Sequence, residues 1–367
     1  MIEILDTTLR DGEQTPGVCF SAAEKLEIAR RISALGVTYI EAGTPAMGPE
    51  EQAAVTQIVQ AGLSAKIVTW NRAQESDLIA SLETGSKHIH LSLPVSEQLI
   101  AKKLGKDRQF VLDRLKSCFA FLAGQGALEI SVGAEDASRA EPEFVKEYAL
   151  LAQELGACRV RLCDTLGVLS PFNLAKTFEP TVKALKVALE IHTHNDFGMA
   201  TANALAAAHA GFTVLDTTVL GLGERAGNAA LEELALVLMF HLNQPSIQTQ
   251  GLKSLAAFVA QAAMRPIPFG KSIVGERIFY HESGIHADGV IKDPLNYEPF
   301  APELVGAHHE IVIGKHSGRH SLAHKLTQLG LSAQHAEGLM ESVRGLANAK
   351  KGLLSDQDLM TLDQQLV

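Results

Sequence analysis

Residues 2–36, IEILDTTLRDGEQTPGVCFSAAEKLEIARRISALG, begin with a short apolar run and continue into a helical pattern. The run IEILDTT is typical of a buried β-strand, whereas the apolar residues of SAAEKLEIARRISALG recur at helical spacing. This unit of a strand followed by a helix recurs eight times before Asn243. Strands separated by helices pair in parallel through right-handed crossovers. Eight such units predict a (β/α)8 TIM barrel, with a doubly wound open sheet as the alternative.

The later predicted strands share short length and β-branched residues. They read VTYIEAG, AKIVTW, HIHLSLP, LEISVG, CRVRLCDT, ALEIHTH and TVLDTTVLG. The alternation stops near residue 243, where Gly, Pro and His become frequent, and helical periodicity returns near residue 321. We therefore predict a barrel at 1–243, a loop-rich linker and lid-like subdomain at 244–320, and a small helical subdomain at 321–367.

Composition excludes several classes of protein. A hydrophobic fraction of 46% with 20% charged residues is typical of water-soluble globular proteins. No apolar run approaches the roughly 18 residues of a membrane helix. No basic n-region followed by an apolar h-region stands before the first strand, so we expect that the protein is not secreted. A net charge of −10 without a basic cluster argues against nucleic acid as a partner. The four cysteines lack C-x-x-C spacing, which favours a reducing cytoplasm over a disulfide framework.

Polar side chains follow most of the predicted strands. In a barrel the carboxyl ends of all strands converge on one mouth, where such folds carry their chemistry. Helix N-capping is the alternative role for any single one of them. The residues at these strand ends are Arg10, Asp11, Glu41, His90, Glu135, Asp136, Asp164, Thr165, His192, His194 and Glu224.

His192 and His194 lie two residues apart on the predicted seventh strand, so both imidazoles can face one cavity. Two ring nitrogens and one carboxylate suit a divalent metal ion. Asp11, at the end of the first strand, is the natural third ligand. The residue types accommodate Mg²⁺, Mn²⁺, Zn²⁺ or Co²⁺ alike. Two hydrogen-bonded histidines in a polar barrel lining are the alternative.

Arg10 and Asp11 are adjacent, and neighbours on a regular strand face opposite sides. If both face inward, the guanidinium of Arg10 can reach a substrate oxygen beside the metal. We therefore predict that the chain has left regular strand pleating by Arg10. A surface ion pair between the two residues is the alternative.

Two further motifs are less specific. Residues 221–228, GLGERAGN, lack the spacing of a dinucleotide-binding fingerprint, but their glycines permit close approach of a ligand. The stretch HESGIHADG carries His281 and His286 outside the predicted barrel. From the residues alone, a metal site, a catalytic lid and a polar surface remain open for it.

Three motifs together resemble a known family. LDTTLRDGEQTPG, HTHND and LGERAGNAALEE, in this order, are similar to signatures of the metal-dependent barrel enzymes that condense acyl-CoA with 2-oxoacids, the isopropylmalate, citramalate and homocitrate synthases. The further segments GTPAMG, VTW, LSLPVS, AEDASRA and IGKHSGRH resemble the homocitrate synthases that serve nitrogenase cofactor assembly. The resemblance spans nearly the whole chain.

The resemblance implies a divalent metal ion and two substrates, acetyl-CoA and a 2-oxoacid, with 2-oxoglutarate favoured. It implies that Asp11, His192 and His194 are metal ligands and that Asn228 completes or flanks this set. Isopropylmalate or citramalate synthesis is the alternative within the family. A related metal-dependent lyase and a non-catalytic 2-oxoacid sensor are further alternatives.

The resemblance also implies roles in substrate binding and catalysis. Arg10 binds and polarises the 2-oxo group, and Thr165 contacts the 2-oxoacid. Glu135 and His286 act on the acetyl-CoA methyl group. Tyr297 is the candidate for the tyrosine that accompanies the active-site histidine in the family. Family members are homodimers whose C-terminal region reaches over the partner barrel, so His286 is expected to serve the partner's site.

Two positions depart from the lysine-pathway homocitrate synthases. Trp70 stands where those enzymes have a histidine, and Ser131 lies near the place of their arginine. Both of those groups face the distal carboxylate of 2-oxoglutarate, so the residue that holds this carboxylate here stays open. We predict that Trp70 and His90 contribute to binding of the 2-oxoacid.

Overall fold

A computed structural model describes residues 2–126, 128–245 and 247–366 and contains a closed barrel of eight parallel strands. Each strand pairs with the next along the chain, and the first also pairs with the eighth. The predicted (β/α)8 barrel is therefore confirmed. The strands are β1 (Glu3–Asp6), β2 (Tyr39–Gly43), β3 (Lys66–Arg72), β4 (His88–Pro94), β5 (Glu129–Glu135), β6 (Arg159–Asp164), β7 (Ala188–Thr193) and β8 (Val214–Thr217).

An α-helix follows each strand and covers the barrel with its apolar face. These helices are α1 (Ala22–Ala34), α2 (Pro49–Gln60), α3 (Glu75–Glu83), α4 (Arg108–Ala123), α5 (Pro142–Glu154), α6 (Leu174–Ala184), α7 (Ala200–His209) and α8 (Leu231–Leu242). Helix α1 begins with a capping box, in which Ser21 and Glu24 each bond the other's backbone N–H. Ile28 and Ile32 of α1 are fully buried, one helical turn apart.

Residues 252–262 form α9 (Leu252–Ala262), which packs on the outside of the barrel. The guanidinium of Arg31 lies 4.4 Å from the ring of Phe258, and the Gln248 N–H donates to the carbonyl of Leu35. The chain accordingly separates into two compact units, Met1–Ile267 and Pro268–Val367. The sequence-based boundary at residue 243 lies before α9, whereas the first unit includes this helix.

The second unit begins irregularly and ends in three helices. Two short strands, β9 (Tyr280–His281) and β10 (Glu310–Ile311), pair in parallel, with α10 (Gly284–Lys292) between them in sequence. The helices α11 (Arg319–Gln328), α12 (Ala336–Lys350) and α13 (Asp356–Leu366) follow. Their apolar core includes the buried side chains of Leu322, Leu326, Leu339, Val343 and Leu359. No helix in the described ranges has both the length and the apolar character to cross a membrane.

Candidate metal centre and active site

The first strand ends at Asp6, and the chain turns at once. The N–H of Arg10 and the N–H of Gly12 both donate to the carbonyl of Thr7, at 3.1 and 3.0 Å. This turn places the side chains of Arg10 and Asp11 together in a buried site, with side-chain exposures of 9% and 4%. The prediction that the chain leaves strand pleating by Arg10 is confirmed.

Asp11, His192 and His194 form a cluster whose potential ligand atoms all lie within 4.8 Å of one another. His192 Nε2 lies 3.1 Å from Asp11 Oδ2 and 3.2 Å from His194 Nε2. The two imidazole rings are nearly perpendicular, with centroids 4.9 Å apart. His192 Nε2 therefore faces both the Asp11 carboxylate and His194 Nε2, and the two rings share one cavity, as the i, i+2 spacing predicts.

Several buried polar atoms at this site have no hydrogen-bond partner. They are Oδ1 of Asp11, Nδ1 of His194 and Oδ1 of Asn228. The Asn228 backbone pairs with that of His194, and its Nδ2 donates to the carbonyl of Leu222, which leaves its oxygen available. Buried polar groups without partners are rare unless an ion or water completes them. These nitrogen and oxygen donors fit a divalent metal ion.

His192 lies between two carboxylates, since its Nδ1 is 3.2 Å from Asp216 Oδ2. Burial lowers the pKa of His192, but hydrogen bonds to Asp11 and Asp216 outweigh it and raise the pKa to about 9. Burial and the neighbouring His192 charge lower the pKa of His194 to about 3. Burial raises the pKa of Asp11, but Arg10 and His192 hold it well below its usual range. Without a metal ion, His192 is therefore protonated, and its Nε2–H donates to the carboxylate of Asp11.

Arg10 is held by two carboxylates and one aromatic ring. Its Nε donates to Glu41 Oε2 at 2.6 Å, and its Nη1 donates to Asp11 Oδ2 at 2.9 Å. The guanidinium lies 5.5 Å from the ring centre of Trp70. Burial raises the pKa of Glu41, but Arg10 and Arg161 lower it below the usual value, so Glu41 is ionised. The positive charge of Arg10 is thus fixed beside the candidate metal ligands.

A layer of buried charges, which the sequence motifs above do not predict, lies beneath these residues. Arg161 contacts Glu41, Glu190 and Asp216, and Arg159 also pairs with Glu190. Burial raises the pKa of Asp216 to about 7 against the opposing effect of Arg161. The signal is the alternation R-x-R on β6 and E-x-H-x-H, which begins on β7 and ends one residue beyond it, because residues two apart share a face of the barrel.

Trp70 and His90 occupy neighbouring positions on β3 and β4, in register with each other. His90 Nδ1 lies 2.8 Å from Ser131 Oγ, and the ring packs against Gly133, where a Cβ would lie 2.7 Å from His90 Nε2. Burial and the charge of Arg161 keep the pKa of His90 well below its usual value, so the ring is neutral. The predicted role of Trp70 and His90 in 2-oxoacid binding stays a prediction.

Glu135 is the last residue of β5, and Thr165 directly follows β6. Thr165 Oγ1 accepts a hydrogen bond from the N–H of Asp136 at 2.8 Å. The Glu135 carboxylate pairs with Lys103 Nζ at 2.8 Å. Their predicted roles toward the 2-oxoacid and the acetyl-CoA methyl group stay predictions.

His286 and Tyr297 belong to the second unit, where their rings lie 4.3 Å apart at 31°. Gly289 of α10 makes room for this contact, because a Cβ there would meet the Tyr297 ring at 2.4 Å. The structure thus brings together the two residues that the resemblance associates with each other. His281, in the same motif, instead pairs through Nε2 with Glu298 at 3.0 Å.

The chain is similar to known synthases and, in fold, to solved structures. It is 48% identical to homocitrate synthase 1 of Nostoc sp. over 98% of this chain and 96% of that protein. It is 45% identical to 2-isopropylmalate synthase 2 of Caldanaerobacter subterraneus, over 100% of this chain and 96% of the relative. The crystal structure of the HMG-CoA lyase of Bacillus subtilis matches with a TM-score of 0.66 at 22% identity, over 73% and 95% of the two chains, which supports the fold alone.

Family models match both parts of the chain. The HMGL-like model matches residues 1–259, and the model described as homocitrate synthase post-HMGL domain-like matches residues 273–351. The first match covers the barrel with all of the candidate metal ligands, and the second covers α10 and its surroundings. The chain therefore belongs to the HMGL-like family, and within it to the members that carry the homocitrate synthase post-HMGL domain.

Proposed function

We propose that this enzyme is a homocitrate synthase, which condenses acetyl-CoA with 2-oxoglutarate to homocitrate and CoA at a divalent metal ion. The observation that carries the proposal is the guanidinium of Arg10 held beside the cluster of Asp11, His192 and His194. Such a site suits a ketone that must become an alkoxide. The full-length similarity to a relative named homocitrate synthase supports the choice of substrate.

Asp11, His192 and His194, with Asn228 beside them, would hold a divalent cation, which would supply Lewis acidity to the 2-oxoacid. Arg10 donates hydrogen bonds to the ketone oxygen and stabilises the negative charge that develops there. Glu41 and Trp70 fix the guanidinium before substrate arrives, so little reorganisation is needed during the reaction. Thr165 contributes a hydroxyl toward the 2-oxoacid.

The carbon nucleophile arises by removal of a proton from the methyl group of acetyl-CoA. His286, acting with Glu135 and beside Tyr297, accepts this proton. The resulting enolate carbon forms the new bond to C2 of 2-oxoglutarate, and the ketone oxygen takes up a proton. Water then cleaves the thioester, which releases the CoA thiol and a carboxylate. In a homodimer, His286 of one subunit acts at the barrel of its partner.

The direct test measures thiol release from acetyl-CoA with 2-oxoglutarate, 2-oxoisovalerate, pyruvate or oxaloacetate. We expect the highest kcat/KM with 2-oxoglutarate and a metal requirement met by Mg²⁺, Mn²⁺, Zn²⁺ or Co²⁺. A preference for 2-oxoisovalerate would instead support isopropylmalate synthesis, which the second relative's name suggests. No thiol release with any 2-oxoacid would refute a synthase.

The nitrogenase-linked motifs support a role in iron–molybdenum cofactor synthesis, and the four free cysteines are compatible with a cytoplasmic location. The test is complementation of a nitrogen-fixing strain that lacks its own homocitrate synthase. Growth on N₂ should return with the unaltered chain and fail with His192→Ala. Failure of the unaltered chain despite activity in vitro would reject this physiological role.

A further inference from the structure

We propose that Arg161 is a positioning residue that holds both functional halves of the site, Arg10 and His192, through one buried guanidinium. Arg161 is 1% exposed and lies beneath the metal ligands. Its effect on turnover rests on the proposed function, whereas its effect on the geometry of the site is independent of the reaction. Two separate chains of contacts lead from the Arg161 guanidinium, one to Arg10 and the other to His192.

The first chain of contacts leads to Arg10. Nη2 of Arg161 lies 2.8 Å from Oε1 of Glu41, and the other oxygen of the same carboxylate accepts from Arg10 Nε at 2.6 Å. Glu41 also accepts from the hydroxyl of Thr7 at 2.8 Å. The Glu41 carboxylate is therefore fixed by donors on both oxygens, and it fixes the direction of the Arg10 guanidinium.

The second chain of contacts leads to His192. Nε of Arg161 lies 3.1 Å from Asp216 Oδ2, and the same oxygen lies 3.2 Å from His192 Nδ1. A carboxylate on the outer nitrogen of a metal-binding histidine sets the tautomer and the ring orientation. Arg161 thereby holds the carboxylate that orients the His192 ring toward Asp11 and His194.

The shape of arginine is essential to this double role. Its planar fork presents donors in several fixed directions, so one side chain can serve Glu41 and Asp216 at once. A third carboxylate, that of Glu190, pairs with Nε of Arg161 and limits its movement. Lysine carries the same charge but as a single point on a flexible stem. We infer that Arg161→Lys keeps the charge and loses the simultaneous contacts.

Arg159 provides a matched control two residues earlier on β6. It is also a buried arginine that pairs with Glu190, but its guanidinium lies 4.3 Å from the Tyr39 ring. Within residues 2–126, 128–245 and 247–366, no ion pair joins it to Glu41 or Asp216. Arg159→Lys therefore makes the same chemical change in the same strand: it alters a contact to Glu190, which Arg161 shares, but leaves the direct contacts of Arg161 to Glu41 and Asp216 in place.

The single tryptophan of the chain reports on Arg10 without substrate or metal, because Trp70 lies 5.5 Å from that guanidinium. Arg161→Lys should change the emission maximum or lifetime of Trp70 and weaken Co²⁺ binding in calorimetry. It should also lower kcat by about 10 to 100-fold, the range found for residues that support metal ligands. Arg159→Lys should leave Trp70 emission and Co²⁺ affinity unchanged and kcat within about twofold.

Changes of equal size in Arg161→Lys and Arg159→Lys would overturn the proposal, and so would unchanged Trp70 emission and Co²⁺ affinity in Arg161→Lys. If Arg161→Lys does not fold, Arg161→Gln combined with Glu190→Gln removes one charge of each sign and should give the same two changes. A wild-type protein without thiol release would reject the proposed function, while Trp70 emission and Co²⁺ affinity would still decide the role of Arg161.

Discussion

The affinity of the site for a divalent metal should depend steeply on pH, because a proton occupies the place of the metal. The pKa of His192 is raised from 6.5 to about 9, so its ring is protonated at pH 7 in the metal-free protein. A metal binds only the deprotonated nitrogen, and it must therefore displace this proton. His194, with a pKa lowered to about 3, is already neutral and adds no pH dependence above pH 6.

The size of the effect follows from the protonated fraction of His192. The proton and the metal ion compete for the same nitrogen. The apparent Kd for the metal is therefore proportional to 1 + [H⁺]/Ka, where Ka is the acid dissociation constant of His192. With a pKa of about 9, the Kd should fall about 25-fold between pH 7.0 and pH 8.5. With an unshifted pKa of about 6.5, the same interval changes Kd by less than about 1.5-fold. Affinity therefore rises with pH up to about pH 9 and then levels off.

Isothermal titration of Co²⁺ into the metal-free protein at several pH values measures this dependence. Repeating the titration at pH 7.0 in buffers of different ionisation enthalpy should show release of about one proton per metal ion. Asp216→Asn is the control, since it removes one of the two carboxylates that raise the pKa of His192 and should flatten the profile. A flat profile in the unaltered protein would refute the assignment of the charged His192.

Three other predictions test separate parts of the structure. His192→Ala should lose bound metal and turnover together, and retention of metal in elemental analysis would contradict the assigned ligand set. Mixing inactive His192→Ala and His286→Ala subunits should restore up to about a quarter of the wild-type rate, since half of the dimers are then mixed and each has one complete site; no recovery after verified exchange would exclude action of His286 in the partner. Ser21→Ala should lower the free energy of unfolding by about 1 kcal/mol through loss of the α1 capping box, with kcat unchanged; an unaltered denaturation midpoint would show that the cap adds nothing.

Local sequence patterns were sufficient for the barrel and for the centre of the site. Side chains two residues apart on a strand share a face, so His192 and His194 face the same side whatever surrounds them. Neighbours on a strand face opposite sides, so Arg10 and Asp11 can both be buried only if the chain turns there. Both conclusions depend only on the geometry of neighbouring residues, which follows from their spacing in the sequence. The end of β1 at Asp6 and the cluster around Asp11 agree with them.

Contacts between distant strands could not be obtained in this way. Glu41, Arg161 and Asp216 come from three strands, and their meeting depends on the register around the closed barrel. From the sequence alone, a charged residue in a predicted strand could equally lie in a turn or at a solvent-facing edge of the sheet. The predicted boundary at residue 243 assigns α9 to the linker for a related reason, since the stretch 243–251 before this helix is typical of the start of a linker.

The buried charges beneath the site are better understood as a device for geometry than as a source of stability. Burial of an ion pair removes the hydration of both charged groups. A protein with apolar side chains of the same volume in their place is therefore often at least as stable. Here, however, Glu41, which binds Arg10, and Asp216, which binds His192, share Arg161. Such sharing couples the direction of Arg10 to the orientation of His192. In the proposed condensation an alkoxide develops at one fixed point, and this coupling favours that step because donors that are already aligned need no reorganisation when the charge appears.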